Sequence, residues 1–241
     1  MIVPRFPKTG ESIKASHSEK ALGGKGANTA LSTYRSCHYE ESLGRGDGAI
    51  RVKMIGKAGD DTHGGTLIAK LLENDIDISG VEVAPYSPSN ERVVMIDEET
   101  HESRAAILLD YTEGEVKVDC PKATKRFLNL GVKNVVITLG AKGAYYANAK
   151  VSGLCAGYAV PVLDTTGAGL TQVESDTFTG AYAADYVRQI SSPSGEWDIE
   201  SAVVRANQAA AISIGSAGAQ GHIPWANEID LFDMMAEMTL D

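Results

Sequence analysis

The chain has 241 residues, with 22 Lys and Arg against 32 Asp and Glu, for a net charge of −10. That length suits one large domain, and 43% hydrophobic with 22% charged residues is a composition that can build a core. A pI near 5.0 argues against a nucleic-acid backbone as partner, because no surplus of cations exists to release counterions. No apolar run approaches the roughly 18 residues that cross a bilayer, and the N-terminal MIVPRFPKTGESIK lacks a signal-peptide core. Cys37, Cys120 and Cys155 are odd in number and contain no C-x-x-C. They fit reduced thiols in a cytoplasmic protein better than a disulfide framework or a zinc site.

Strand and helix patterns then alternate. Residues 29–36 read as a helix after a glycine cluster. Ile50, Val52 and Met54 alternate with Arg51 and Lys53, as in a half-buried strand ending at Gly56. Asp60-Asp61-Thr62 is a helix-capping string, followed by Leu67, Ile68, Leu71 and Leu72 at helical spacing. The apolar runs 93–96 and 105–109 flank a polar 97–103, which predicts a hairpin. Pro121 opens a basic helix that ends at Gly131. Val135-Val136-Ile137 is continuously apolar, the pattern of a buried parallel strand. Two helices follow, from Asp176 to about Ile190 and from Asp198 to about Ile214. The order predicts one α/β domain over 1–241, its sheet covered by helices on both faces. Segments 11–22 and 92–109 would form a small separate β lid.

Four glycine-rich strings could carry chemistry. In the first, Gly23 and Gly24 precede Lys25, Gly26, Ala27 and Asn28, where the backbone can approach a ligand closely. Asn28 adds a donor and an acceptor suited to a polyhydroxyl, although a tight turn before a helix explains the string as well. The second string, Thr138, Leu139, Gly140, Ala141, Lys142 and Gly143, follows the buried strand at the end where α/β proteins place ligands. A plain strand–turn–strand is its simpler reading. The third runs Asp164-Thr165-Thr166-Gly167-Ala168-Gly169 and, after six residues, resumes at Asp176-Thr177-Phe178. Free N–H groups at a helix start make an anion site, and an aspartate beside them suits a general base or, more simply, a helix cap. The fourth, 214–224, closes an alanine-rich helix and holds Ser216, Gly218 and His222.

Together these strings resemble the ribokinase family of ATP-dependent sugar kinases. The likeness also takes in Phe6-Pro7-Lys8-Thr9-Gly10-Glu11 and Gly56-Lys57-Ala58-Gly59-Asp60-Asp61. It implies the family's α/β fold and transfer of the γ-phosphate of ATP to a sugar's primary hydroxyl. The 23–28 string is most similar to the ribose-phosphorylating branch, which implies D-ribose as acceptor and ribose 5-phosphate as product. By position, Gly24 to Asn28 would contact the sugar. Thr138 to Gly143 would line the nucleotide, with Asn207 near the adenine. Gly167, Ala168 and Gly169 would form the anion hole, and Asp176 would be the base. The resemblance further implies Mg2+ with the nucleotide, a potassium ion near Asp164, Thr166, Ser213, Ser216, Gly218 and His222, and a homodimer formed through the lid.

Three departures accompany the resemblance. The chain starts just before Phe6, where the family has a first core strand and a sugar-binding aspartate. The stretch between about Tyr111 and Pro121 is too short for the family's further strands, a sugar-contacting glutamate and an N-x-x-E motif. Leu170-Thr171-Gln172-Val173-Glu174-Ser175 separates the anion hole from the base. As extra helix, those six residues would move Asp176 by about 9 Å and about 240° relative to Gly169. As a bulge they would leave it in place. Either an active kinase or a truncated, impaired derivative that only binds nucleotide or sugar is consistent with this pattern, and the core is expected to be incomplete.

Overall fold

The computed structural model describes residues 1–8, 10–18, 22–44, 50–89, 93–99, 103–106, 119–158, 167–214 and 222–238. The first half contains β1 (Ile2–Val3), α1 (Lys25–Arg35), β2 (Lys53–Gly59), α2 (Thr62–Glu73) and β3 (Asp77–Ala84), then β4 (Val93–Asp97) and β5 (Ser103–Ala106). The second half contains α3 (Cys120–Asn129), β6 (Asn134–Thr138), β7 (Ala144–Asn148), β8 (Ser152–Cys155), α4 (Gly167–Ile190), α5 (Ile199–Ile214) and α6 (Ala226–Met238).

Local chemistry sets several helix ends. The Asp61 carboxylate accepts from the Gly64 N–H at 2.8 Å and caps α2, as its sequence position predicts. Asp119 does the same for α3 through the Lys122 N–H, with Pro121 in the first turn and Gly131 at φ 90° beyond the end. α1 starts four residues earlier than its periodicity suggested, because Gly24, at φ 108°, turns the chain straight into helix at Lys25.

Among the described residues the strands form three separate sheets, ordered β1-β4-β5, β2-β3 and β6-β7-β8. The predicted hairpin is present, with Val93 opposite Ala106 and Ile96 opposite Ser103. Its second strand begins at Ser103, two residues before the apolar run, and 107–109 lie outside the described residues. Among the described residues of the lid segment 11–22, His17 alone makes a β-bridge, to Ile2. A two-residue strand therefore does precede Phe6, but it extends the hairpin sheet. β2 begins at Lys53 and continues past Gly56 to Gly59, because β3 pairs parallel with it as far as Ala84. β3 and α6 were not anticipated; β3 reads DISGVEVA, without clean alternation.

One expectation is overturned. The apolar run in β6 predicted a parallel strand, yet β6 pairs antiparallel with β7, Val136 opposite Tyr146. Its apolar character comes from burial on both faces. Val136, Ala144 and Tyr146 pack towards α5, while Val135 and Ala147, of opposite parity, turn to the other side, where α3 lies.

α1 and α4 form a seam between two cores. On one side Phe178 and Ala181 of α4 meet Ala144, Tyr146, Ile199, Val203 and Ala206. On the other, Ala27, Ala30, Leu31 and Tyr34 of α1 pack with Leu71, Ile76, Ile223 and Trp225. At the seam, Ser32 Oγ donates to the Thr177 carbonyl at 2.8 Å. Gly180 allows the close approach: a Cβ there would lie 2.5 Å from Ser32 Cβ and 2.7 Å from the Thr29 carbonyl oxygen.

Candidate active site

The seam brings two of the sequence-predicted strings together. Asn28, at the end of the first turn of α1, donates from Nδ2 to Asp176 Oδ2 at 3.0 Å, and both residues are buried. Burial pushes the Asp176 carboxyl above its ordinary value; the Asn28 hydrogen bond and the nearby Lys25 charge pull the other way. A desolvated carboxylate held in one rotamer by an amide is the kind of group that takes a proton from a hydroxyl. Gly24, Lys25 and Gly26 are exposed at the mouth beside it, whereas Ala27 turns its methyl into the core and offers a ligand only backbone.

The interrupted signature resolves as continuous helix. α4 runs unbroken from Gly167 to Ile190, so residues 170–175 add helical turns instead of bulging. Gly167, Ala168 and Gly169 occupy the first turn of α4, where N–H groups lack intrahelical partners. Gly169 is then about 10 Å along the axis from Asp176. The expectation that α4 begins at Asp176 is corrected. α4 is described from Gly167, and Asp176 lies in the helix interior.

The added turns bring in Glu174, which the sequence offered only as half of a Thr171-x-x-Glu174 capping box. Because the helix starts at Gly167, no cap is needed there. Glu174 is half-buried, and desolvation raises its carboxyl above the ordinary range. No described residue bonds or pairs with it. It follows Phe178 and Ala181 around the helix, on the flank facing α5, while Asp176 faces α1.

The second glycine-rich string, expected to line the nucleotide, forms a tight structure at the carboxyl end of β6. Thr138 ends the strand, and Gly140, Ala141 and Lys142 make a single 3-10 turn. The Leu139 N–H then bonds the Gly143 carbonyl at 2.7 Å. Gly143 sits at φ 89°, where a Cβ would fall 2.1 Å from the Cys155 carbonyl oxygen. Gly157 also packs closely, since a Cβ there would lie 2.4 Å from the Ala141 carbonyl oxygen. Asn207 of α5 donates Nδ2 to Cys155 Sγ at 3.1 Å and to the Ala156 carbonyl at 3.3 Å. The loop and Asn207 are thus brought to one place through residues 155–157. Cys155, noticed in the sequence only as a thiol, is the link.

The predicted cation set is only partly described. Asp164, Thr166, Ser216 and Gly218 lie outside the described residues. Ser213 is buried with its hydroxyl donated to the Ala210 carbonyl, and His222 lines a polar cavity of about 280 Å³ with Arg35, Glu40 and Glu228. The described pair is not brought together around one point by any bond. Among the described residues, no group of three or more His, Cys, Asp or Glu side chains converges as a metal site. No described helix is long and apolar enough to cross a membrane.

Comparison with known proteins places these features. The pfkB family carbohydrate kinase profile matches residues 1–119 and 112–226, two stretches that meet where the sequence is too short. Ribokinase of Haemophilus influenzae is 27% identical over 296 aligned residues, covering 94% of this chain and 92% of the relative. Ribokinase of Bacillus subtilis is 27% identical over 293, covering 93% and 92%. These alignments are longer than the 241-residue chain, so the relatives carry segments with no counterpart here. Ribokinase of Thermotoga maritima superposes with a TM-score of 0.71 at 22% identity, over 97% of this chain and 94% of that one. Arabidopsis thaliana ribokinase, solved with ribose and ATP, gives 0.70 at 19%, over 96% and 94%. The profile spans both cores and both candidate half-sites, and the chain belongs to the pfkB family of carbohydrate kinases.

Proposed function

We propose that the protein transfers the γ-phosphate of Mg-ATP to the primary hydroxyl of D-ribose. The observation that carries this reading is the Asn28–Asp176 bond, a buried amide–carboxylate pair at the mouth of a glycine-rich helix start. Asp176 would take the hydroxyl proton, and Asn28 with the exposed backbone at Gly24 to Gly26 would hold the sugar. Thr138 to Gly143 and Asn207 would receive the nucleotide, and the N–H groups at Gly167 to Gly169 would face the phosphates. Mg2+ would neutralise phosphate charge. Potassium stays an expectation resting on the family likeness, with Ser213 and His222 as the described candidates. The similarity in sequence to ribokinases, and the neighbour solved with ribose and ATP, support this substrate pair.

A second reading is favoured by one observation, the unbroken start of α4. With donors and base about 10 Å apart, the protein would bind both ligands and transfer slowly or not at all. A coupled ADP-release assay over ribose, fructose 6-phosphate and adenosine, with calorimetry on ATP and ribose, tests both. Ribose-dependent ADP release is expected. Preference for another acceptor overturns the substrate, and binding of both ligands without turnover establishes the second reading.

A further inference from the structure

A cavity of about 860 Å³ lies at the opposite end of the β6–β8 sheet from the nucleotide loop. Four segments converge on it: the turn between α3 and β6, the β7–β8 turn, the α4 side chain Tyr186, and the loop carrying Glu196 and Trp197. Since β6 spans five residues, the cavity is roughly 15 Å from Thr138 to Gly143. It is therefore separate from the candidate active site. Its volume falls within the range of about 300–1,000 Å³ typical of small-molecule sites.

The lining is largely apolar, with Leu128, Val132 and an aromatic wall, and a few polar groups are set into it. Trp197 and Tyr186 meet edge to face, centroids 4.8 Å apart at 70°. The indole is fixed by its Nε1–H bond to Asn134 Oδ1 at 2.9 Å. Asn148 Oδ1 likewise accepts from the Lys150 and Val151 N–H groups. Both carboxamide oxygens are thus engaged, and the two Nδ2 groups carry no bond to any described residue. Lys133 and Lys150 form no ion pair among the described residues, in a chain whose net charge is −10. Glu196 is the one carboxylate on the lining.

We propose that this cavity is a second nucleotide site, distinct from the one that feeds phosphoryl transfer. A planar base fits against the Trp197–Tyr186 wall, where ring faces and edges attract a second aromatic group. The Lys133 and Lys150 ammoniums suit phosphate oxygens, and the Asn134 and Asn148 amides add neutral donors. Glu196 can accept from ribose hydroxyls or an exocyclic amine. Occupation would brace the amino end of β6 against the α4–α5 loop.

Calorimetric titration with ADP tests the proposal in wild type and in the Lys133→Ala/Lys150→Ala double variant. Both lysines are exposed, so the variant is expected to fold, and its sugar-dependent turnover is expected to match wild type because neither residue touches the candidate active site. The expected result is one fewer ADP bound per chain in the variant, with Lys133→Arg/Lys150→Arg restoring it. Trp197 fluorescence is expected to be quenched by ADP in wild type and not in the alanine variant. Equal stoichiometry in wild type and the alanine variant overturns the proposal. Because the readout is a difference in bound ADP, it stands apart from whether the protein turns over ribose.

Discussion

The α1–α4 crossing and the first turns of α4 belong to one helix, yet they answer to different constraints. At the crossing, Asp176, Thr177 and Gly180 are tied to Asn28, Ser32 and Thr29 by hydrogen bonds and by a backbone approach that only glycine allows. Ahead of it, residues 167–175 extend the helix beyond that contact. A six-residue insertion between the two could have moved either side. Asp176 is bonded to Asn28, and the glycine string lies about 10 Å from it along the same helix. Dense packing at the crossing fixes the register of Asp176 against α1.

The most damaging test of this contrast is Asp176→Asn, which keeps the shape and the Asn28 contact region but removes the proposed base. Turnover is expected to fall by about 10²–10⁴ with ATP affinity nearly unchanged. The pH profile supplies the sign. A carboxyl raised by burial must be ionised to act, so wild-type activity should fall at a pH above the ordinary aspartate range as acidity increases. A variant as active as wild type would return Asp176 to a structural role.

Deleting Leu170 to Ser175 sharpens the same comparison from the other side. Everything from Asp176 onward keeps its register with α1, and Gly169 becomes the neighbour of Asp176. A separation of ~10 Å far exceeds the ~1 Å misplacement that costs ~10²-fold, so the deletion is expected to raise the rate by at least ~10-fold. A folded deletion protein with unchanged or lower activity would show that the long helix start serves the reaction.

The smallest expected effect concerns Glu174→Gln. Burial raises the folded-state pKa of Glu174, so the folded protein holds that proton more tightly than the unfolded chain. The ionised carboxylate therefore opposes folding at neutral pH, and the penalty fades as pH falls through the raised value towards the ordinary range. The neutral variant is expected to melt on the order of 1–3 °C higher at pH 7, with no gain near pH 4. Equal melting temperatures at pH 7 would mean that Glu174 has a partner in solution.

Capping residues and periodicity determined much of this protein locally: Asp61, Pro121 and Gly131 placed helix ends, and residues 93–106 placed the hairpin. The glycine strings and Asp176 marked the candidate site, because backbone approach and charge need those residue types wherever the chain goes. Tertiary structure alone decided which strand pairs with which. The apolar run of β6 reports burial on two faces, and burial does not distinguish an antiparallel hairpin from a parallel crossover. It also decided the fate of residues 170–175, since helix and bulge satisfy the same local sequence. The fit of Gly180 against Ser32, the Ser32–Thr177 bond and the bond from Asn28 hold Asp176 in register, and those contacts join residues about 150 positions apart in the chain.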